Sequence, residues 1–270
     1  MSNVTDFINT YPNASEIYSY VLENRKTLSK QEFGRLEDAI IATGDAEYIY
    51  CFARDIEEAD IKKLQGAIIK TGDAENIVYF ALKVKGADIE KLQDKIIATK
   101  NVRYIYLFAR YVKGAKIEKL EDAIIATEDA EYIYRFARDI EEADIKRLQG
   151  AIIKTGDAEN IAYFALKVKG ADIEKLQDKI IATKNVRYIY LFARYVKGAK
   201  IEKLEDAIIA TEDAEYIYRF ARDIEEAKIE KLEDAIFATG DAEYIRLFAE
   251  EYESFQKREQ DIVEEKGFKK

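Results

Sequence analysis

A 28-residue period runs through most of this chain and restricts its fold more than any other feature. Leu36, Leu64, Leu92, Leu120, Leu148, Leu176, Leu204 and Leu232 each open a copy of the pattern L-x-x-x-I-[IF]-x-T-x-[DN]-[AV]-x-x-I-x-x-F-A. A fixed period of this length marks a stack of like units, none of which closes a core by itself. The period is itself grouped in threes. Residues 64–147 and 148–231 differ only at Val78/Ala162, Asp144/Lys228, Lys146/Glu230 and Arg147/Lys231. The stretch NVRYIYLFARYVKG therefore occurs at Asn101–Gly114 and again, unchanged, at Asn185–Gly198.

Each repeat reads as two short helices. In the first, spanning 115–127, Ile117, Leu120 and Ile124 fall at i, i+3 and i+7 and form one apolar stripe. In the second, spanning 102–113, Ile105, Phe108, Ala109 and Val112 do the same. Asp73, Asn101, Asp129, Asp157, Asn185 and Asp213 stand where an N-cap of the second helix belongs. Gly86, Gly114, Gly170 and Gly198 stand just past that helix, where a C′ glycine is expected. Ser29 with Glu32 reads as a capping box opening the first regular repeat. The Thr of every repeat falls in the inter-helix turn. No Pro follows Pro12 to interrupt the array.

These features predict an all-α chain: an α-solenoid of about eight helix-turn-helix repeats. Residues 1–35 are expected to form N-terminal capping helices, 36–241 the repeat array, and 242–270 one long C-terminal capping helix. The architecture resembles the helical-repeat superclass that includes TPR and HEAT arrays. The TPR pattern of Trp, Gly, Tyr and Pro is missing, as is the ankyrin T-P-L-H, and 28 residues is shorter than those repeats. The wording also resembles uncharacterised repeats carried by bacteria and their phages. That resemblance implies a counter-defence protein that occupies a host component.

Composition narrows the chemistry. The chain has 270 residues, one Cys (Cys51), no His and no Trp. Nucleophilic catalysis needs a nucleophile held against a base, and no Ser or His lies between Leu36 and Glu253. Zinc and iron sites need Cys or His sets. No enzyme, metal or cofactor is expected. Lys70-Thr71-Gly72 and Ser254-Phe255-Gln256-Lys257 match the KTG and SxxK words of penicillin-recognising enzymes, but KTG recurs at Lys154-Thr155-Gly156 as a helix-end turn. A lone Cys, no apolar run of membrane-spanning length and no signal-peptide pattern predict a cytoplasmic protein.

Binding is the remaining class. The outward face of the first helix carries charges such as Glu118, Lys119 and Asp122, an ordinary solvated surface. The outward ridge of the second helix differs. Across two adjacent repeats it carries Tyr79, Leu82, Leu107 and Tyr111, edged by Arg103 and Arg110. The duplicate carries Tyr163, Leu166, Leu191 and Tyr195, edged by Arg187 and Arg194. Apolar and aromatic side chains on an open face suggest a partner surface, and Tyr and Arg dominate interface energetics. The competing reading is that Tyr and Leu fill grooves between repeats. Tyr104 and Tyr106 point sideways and are expected to pack between repeats.

Charge is banded too. Lys and Arg minus Asp and Glu, by repeat from Leu36, runs −5, 0, +5, −5, 0, +5, −5. Either oppositely charged neighbours stabilise the stacking register, or the two basic bands bind. The leading expectation is a protein-protein interaction solenoid, an adaptor or a stoichiometric inhibitor that sequesters its target. Two like sites suit a two-fold symmetric partner or self-association. The alternative is nucleic-acid or nucleotide binding, with Arg103, Lys113, Lys116 and Lys119 on phosphates and Tyr106 or Tyr111 stacked on bases. The acidic bands and the net charge of −10 oppose a strand running the full length.

Overall fold

The structure is a computed structural model that describes residues 4–10 and 12–251. Helices occupy α1 Val4–Asn9, α2 Ala14–Asn24, α3 Lys30–Thr43, α4 Ala46–Asp55, α5 Ile61–Thr71 and α6 Ala74–Lys83. They continue as α7 Ile89–Thr99, α8 Val102–Tyr111, α9 Ile117–Ala126, α10 Ala130–Asp139, α11 Ile145–Thr155 and α12 Ala158–Lys167. The series ends with α13 Ile173–Thr183, α14 Val186–Tyr195, α15 Ile201–Ile209, α16 Ala214–Asp223 and α17 Ile229–Thr239, followed by helical residues 242–251, here α18. No strand occurs among the described residues. The proposed C-terminal capping helix rested on Phe248, Tyr252, Phe255, Glu259, Ile262 and Val263; from Tyr252 onward it lies outside the described residues.

The fold is an all-α repeat solenoid of consecutively packed helix pairs. It divides into two compact units, Met1–Ala143 and Asp144–Lys270. In the first, each even-numbered helix from α2 to α8 packs on the next even one, and α5 on α7 and α7 on α9. In the second, α12, α14 and α16 form one row and α13, α15 and α17 the other. Even helices pack more closely with one another than odd ones do.

Stacking is driven by the two stripes. Leu120, Ile124, Ile105, Phe108, Ala109 and Val112 are all buried, and so are their counterparts in the other inner repeats, save Ala81 and Ala221. Every predicted N-cap is one: Asn101, for example, accepts the backbone N–H of Tyr104, and Asp129 that of Tyr132. The Ser29–Glu32 capping box is formed, and a second one links Asn13 and Glu16. The turn threonines act as relays. Thr99 donates its hydroxyl to the Ile96 carbonyl at 2.6 Å and accepts the Asn101 N–H at 3.2 Å.

One expectation is corrected. Gly86, Gly114, Gly170 and Gly198 are not C′ residues, because the second helices end on extended C-caps such as Val84 and Val112. The glycines come two residues later with φ between 81° and 85°, inside turns closed by bonds such as Ala87 N–H to Val84 C=O. Left-handed C-caps instead end the first helices, at Gly44, Gly72, Gly156 and Gly240 and also at Lys100 and Lys184.

Candidate interaction surface

The even row presents the ridge. Tyr111 and Tyr195 are the most open of its large apolar and aromatic side chains, at 54% and 51%, and Tyr79 and Tyr163 follow at 43% each. Leu166 is exposed, Leu82, Leu107 and Leu191 are half-buried, and Arg103, Arg110, Arg187 and Arg194 are exposed. Tyr79, Leu82, Arg103, Leu107, Arg110 and Tyr111 thus share the α6–α8 face, and their duplicates the α12–α14 face. Three of the four leucines are thus less open than the tyrosines.

Tyr106 behaves as a packing residue. It is 4% exposed, meets Tyr132 edge-on at 5.8 Å, and donates its hydroxyl to Asp139 Oδ2 at 2.5 Å. Tyr104 reaches back to Glu75 Oε2 at 3.1 Å. Tyr190 and Tyr188 repeat these roles with Asp223 and Glu159. Burial, with the acceptor carboxylate second, pushes the Tyr106 and Tyr190 hydroxyls up. At the start of the array the same two causes lift Tyr18, bonded to Asp55, to about 12.

The acceptors are clamped on their other side. Arg138 Nε lies 2.7 Å from Asp139 Oδ1, and Arg110 Nη1 lies 3.2 Å from Oδ2. In the duplicate, Arg222 and Arg194 hold Asp223 at 2.8 and 2.9 Å. The bond from Arg138 holds the Asp139 carboxyl below the usual carboxylate range, Tyr106 adding to it and burial opposing; Arg222 and Tyr190 do the same for Asp223. Such groups stabilise the fold above the ordinary aspartate value of about 4, and that contribution disappears as pH falls through their lowered folded values. Asp139→Asn with Asp223→Asn is therefore expected to flatten the loss of urea stability between about pH 5 and pH 3. An acid-side slope equal to that of the unmodified chain would show that these clusters add no pH-dependent stability.

Ion pairs tie neighbouring odd helices together, while Arg110–Asp139 and Arg194–Asp223 cross from a basic to an acidic band. Lys116 pairs with Glu90 at 2.6 Å, Lys119 with Asp94 at 3.3 Å, Lys200 with Glu174 at 2.5 Å, and Lys63 with Asp38 at 2.7 Å. Most of these side chains are half or more exposed, so solvent screens each pair and its main effect is on register.

Sequence reasoning missed a buried polar spine. The residue after each opening Leu is sealed in seven successive repeats, as Glu37, Gln65, Gln93, Glu121, Gln149, Gln177 and Glu205. Gln93 accepts the Lys116 N–H at 2.7 Å and donates to the Lys116 carbonyl at 3.2 Å. Gln65, Gln149 and Gln177 clamp Asp88, Asp172 and Lys200 in the same way. Glu37 has no amide donor; it accepts the Asp60 N–H at 2.7 Å and pairs with Lys63 at 3.2 Å. The signal was present: only Glu or Gln fills this position, and a Lys or Arg always follows 26 residues on.

Fold and ridge together define an all-α helical-repeat array with two matched, partly open faces. Compared with known protein families, curated proteins and solved structures, the chain has no significant match. Among the described residues, no three His, Cys, Asp or Glu side chains converge to hold a metal ion, and no helix is long and apolar enough to cross a membrane.

Proposed function

We propose that this chain is a non-catalytic protein-binding array, an adaptor or stoichiometric inhibitor that occupies a partner's surface with the ridge of its even helices. One observation carries the reading. On α6 and α8, and again on α12 and α14, tyrosines about half open to solvent stand beside half-buried leucines and exposed arginines, while the opposite faces are sealed. Large aromatic rings with few rotors bind at low entropic cost, and arginine adds directional bonds. The favoured partner presents an apolar patch bordered by acidic groups. Duplication of the face suits a two-fold symmetric target, whose second contact gains from effective concentration. A cytoplasmic setting agrees with the single Cys.

Nucleic acid is the weaker reading. Tyr106 is sealed and cannot stack on a base, and Lys116 and Lys119 are paired on the odd-helix side. Tyr111→Glu with Tyr195→Glu is expected to abolish retention of a purified partner, first identified by affinity capture with the unmodified chain. The urea midpoint should stay unchanged, since both rings are largely open. Undiminished retention would remove the ridge from the interface. Salt-sensitive filter binding of single-stranded oligonucleotides, lost in the same variant, would favour the other class.

A further inference from the structure

Part of the ridge itself, joined by arginines of the next even helix, forms a feature that its protein-binding role does not require. Between α14 and α16 an open cleft has Leu191 in its lining and four guanidinium groups around it, from Arg187, Arg194, Arg219 and Arg222, with Tyr216 at the side. Two carboxylates answer these four cations. Asp223 holds Arg194 and Arg222 from one side, and Glu215 holds Arg219 at 2.5 Å along α16. Arg187 has no carboxylate within ion-pair distance among the described residues; its guanidinium sits 5.6 Å from the Tyr188 ring. Four cations against two anions leave an excess of two positive charges at the cleft.

The first unit repeats the arrangement. Between α8 and α10, Arg110 and Arg138 share Asp139, Arg135 pairs with Glu131 at 2.5 Å, and Arg103 has no carboxylate within ion-pair distance among the described residues, its guanidinium lying 5.8 Å from the Tyr104 ring. Leu107 takes the place of Leu191.

We propose that each cleft binds a compact, multiply charged oxyanion of the phosphate class, one per unit and two per chain. Guanidinium is the group suited to this task, because its planar fork delivers paired N–H bonds to phosphate oxygens. Tying Arg194 and Arg222 to Asp223, and Arg110 and Arg138 to Asp139, removes rotor freedom that a ligand would otherwise have to freeze. The excess of two charges matches a dianion. Such a group could arrive as a free phosphate compound or on a phosphorylated side chain, and both present the same oxygens.

The test uses the full chain and inorganic pyrophosphate as probe, titrated calorimetrically at low ionic strength. The expected result is two sites per chain, with affinity falling at least tenfold in Arg103→Gln with Arg187→Gln. Both residues are exposed and unpaired by carboxylates, so circular dichroism and the urea midpoint should not change. Lys70→Gln with Lys154→Gln, which removes the same charge elsewhere on the surface, should bind as the unmodified chain does. Absence of binding, or equal loss in the two double variants, overturns the proposal; the second result would mark a diffuse charge effect. Competition by a phosphotyrosine peptide at the pyrophosphate sites would assign the side-chain source, and competition by a small phosphate ester alone the free one. No protein partner enters this titration, so its failure leaves the ridge proposal standing.

Discussion

Phe108→Ala is expected to cost about 3–5 kcal/mol of stability. Phe108 is fully buried on α8, which packs against α6 and α10 on either side and against α7 and α9 of the other row. The same ring position is fully buried in seven repeats, from Phe52 to Phe220. Removing the ring gives up its transfer free energy and leaves a cavity. Collapse into that cavity is opposed because identical spacings on both sides hold α6 and α10 in place. Urea unfolding followed by circular dichroism measures the loss. Native-state amide exchange then locates it: protection should fall most in α6, α8 and α10, since a repeat contacts only its neighbours. A loss below about 1 kcal/mol would mean that the stack relaxes around the gap, contrary to a close-packed core.

Gln93→Leu is expected to cost about 1–3 kcal/mol, although Leu is the more apolar residue in a buried position. Gln93 is sealed and satisfies both the N–H and the C=O of Lys116. Leucine removes the acceptor of the Lys116 N–H and leaves the Lys116 carbonyl with only the Leu120 N–H at 3.4 Å, and one orphaned backbone group costs about 1–3 kcal/mol. Gln93→Glu should lose less. A carboxylate still accepts the Lys116 N–H, and Lys119 stands 26 residues on, as Lys63 stands from Glu37 at 3.2 Å. The order is the critical outcome: if the Leu variant proves as stable as the Glu variant in urea, the clamp is dispensable and the spine only fills space.

Most of the helical framework was legible without coordinates. Asp129 and Asn101 cap because a short oxygen-bearing side chain precedes a periodic apolar run, and this is a local relation between neighbours in the chain. The sealed stripes were legible for the same reason, since helical geometry turns spacing into a face. The glycines at 86, 114, 170 and 198 were misplaced by one position because the helices end one step earlier, on an extended Val. An αL cap and a turn glycine use the same residue type, so composition does not separate them.

The candidate surface was legible in outline. Tyr79, Tyr111, Tyr163 and Tyr195 stand open where helical geometry put them, and Leu107 and Leu191 are half-buried, less open than a flat projection implies. The four-arginine clefts were not foreseen as sites, because Arg187 and Arg219 lie 32 residues apart and meet only when α14 and α16 pack side by side.

By itself the sequence determined the unit: a pair of short amphipathic helices, their caps, and the need to stack, since a lone pair leaves its stripes in water. Tertiary structure decided what stacking does with polar atoms. It buried Gln93 against a backbone group 23 residues away, sealed Tyr106 over Asp139 while leaving Tyr111 open, and divided the charged residues between register and cleft. Helical period reports which way a side chain points along its own axis. Whether that direction ends in solvent or in the next repeat depends on the spacing and tilt between helices, and pattern within one helix does not encode these.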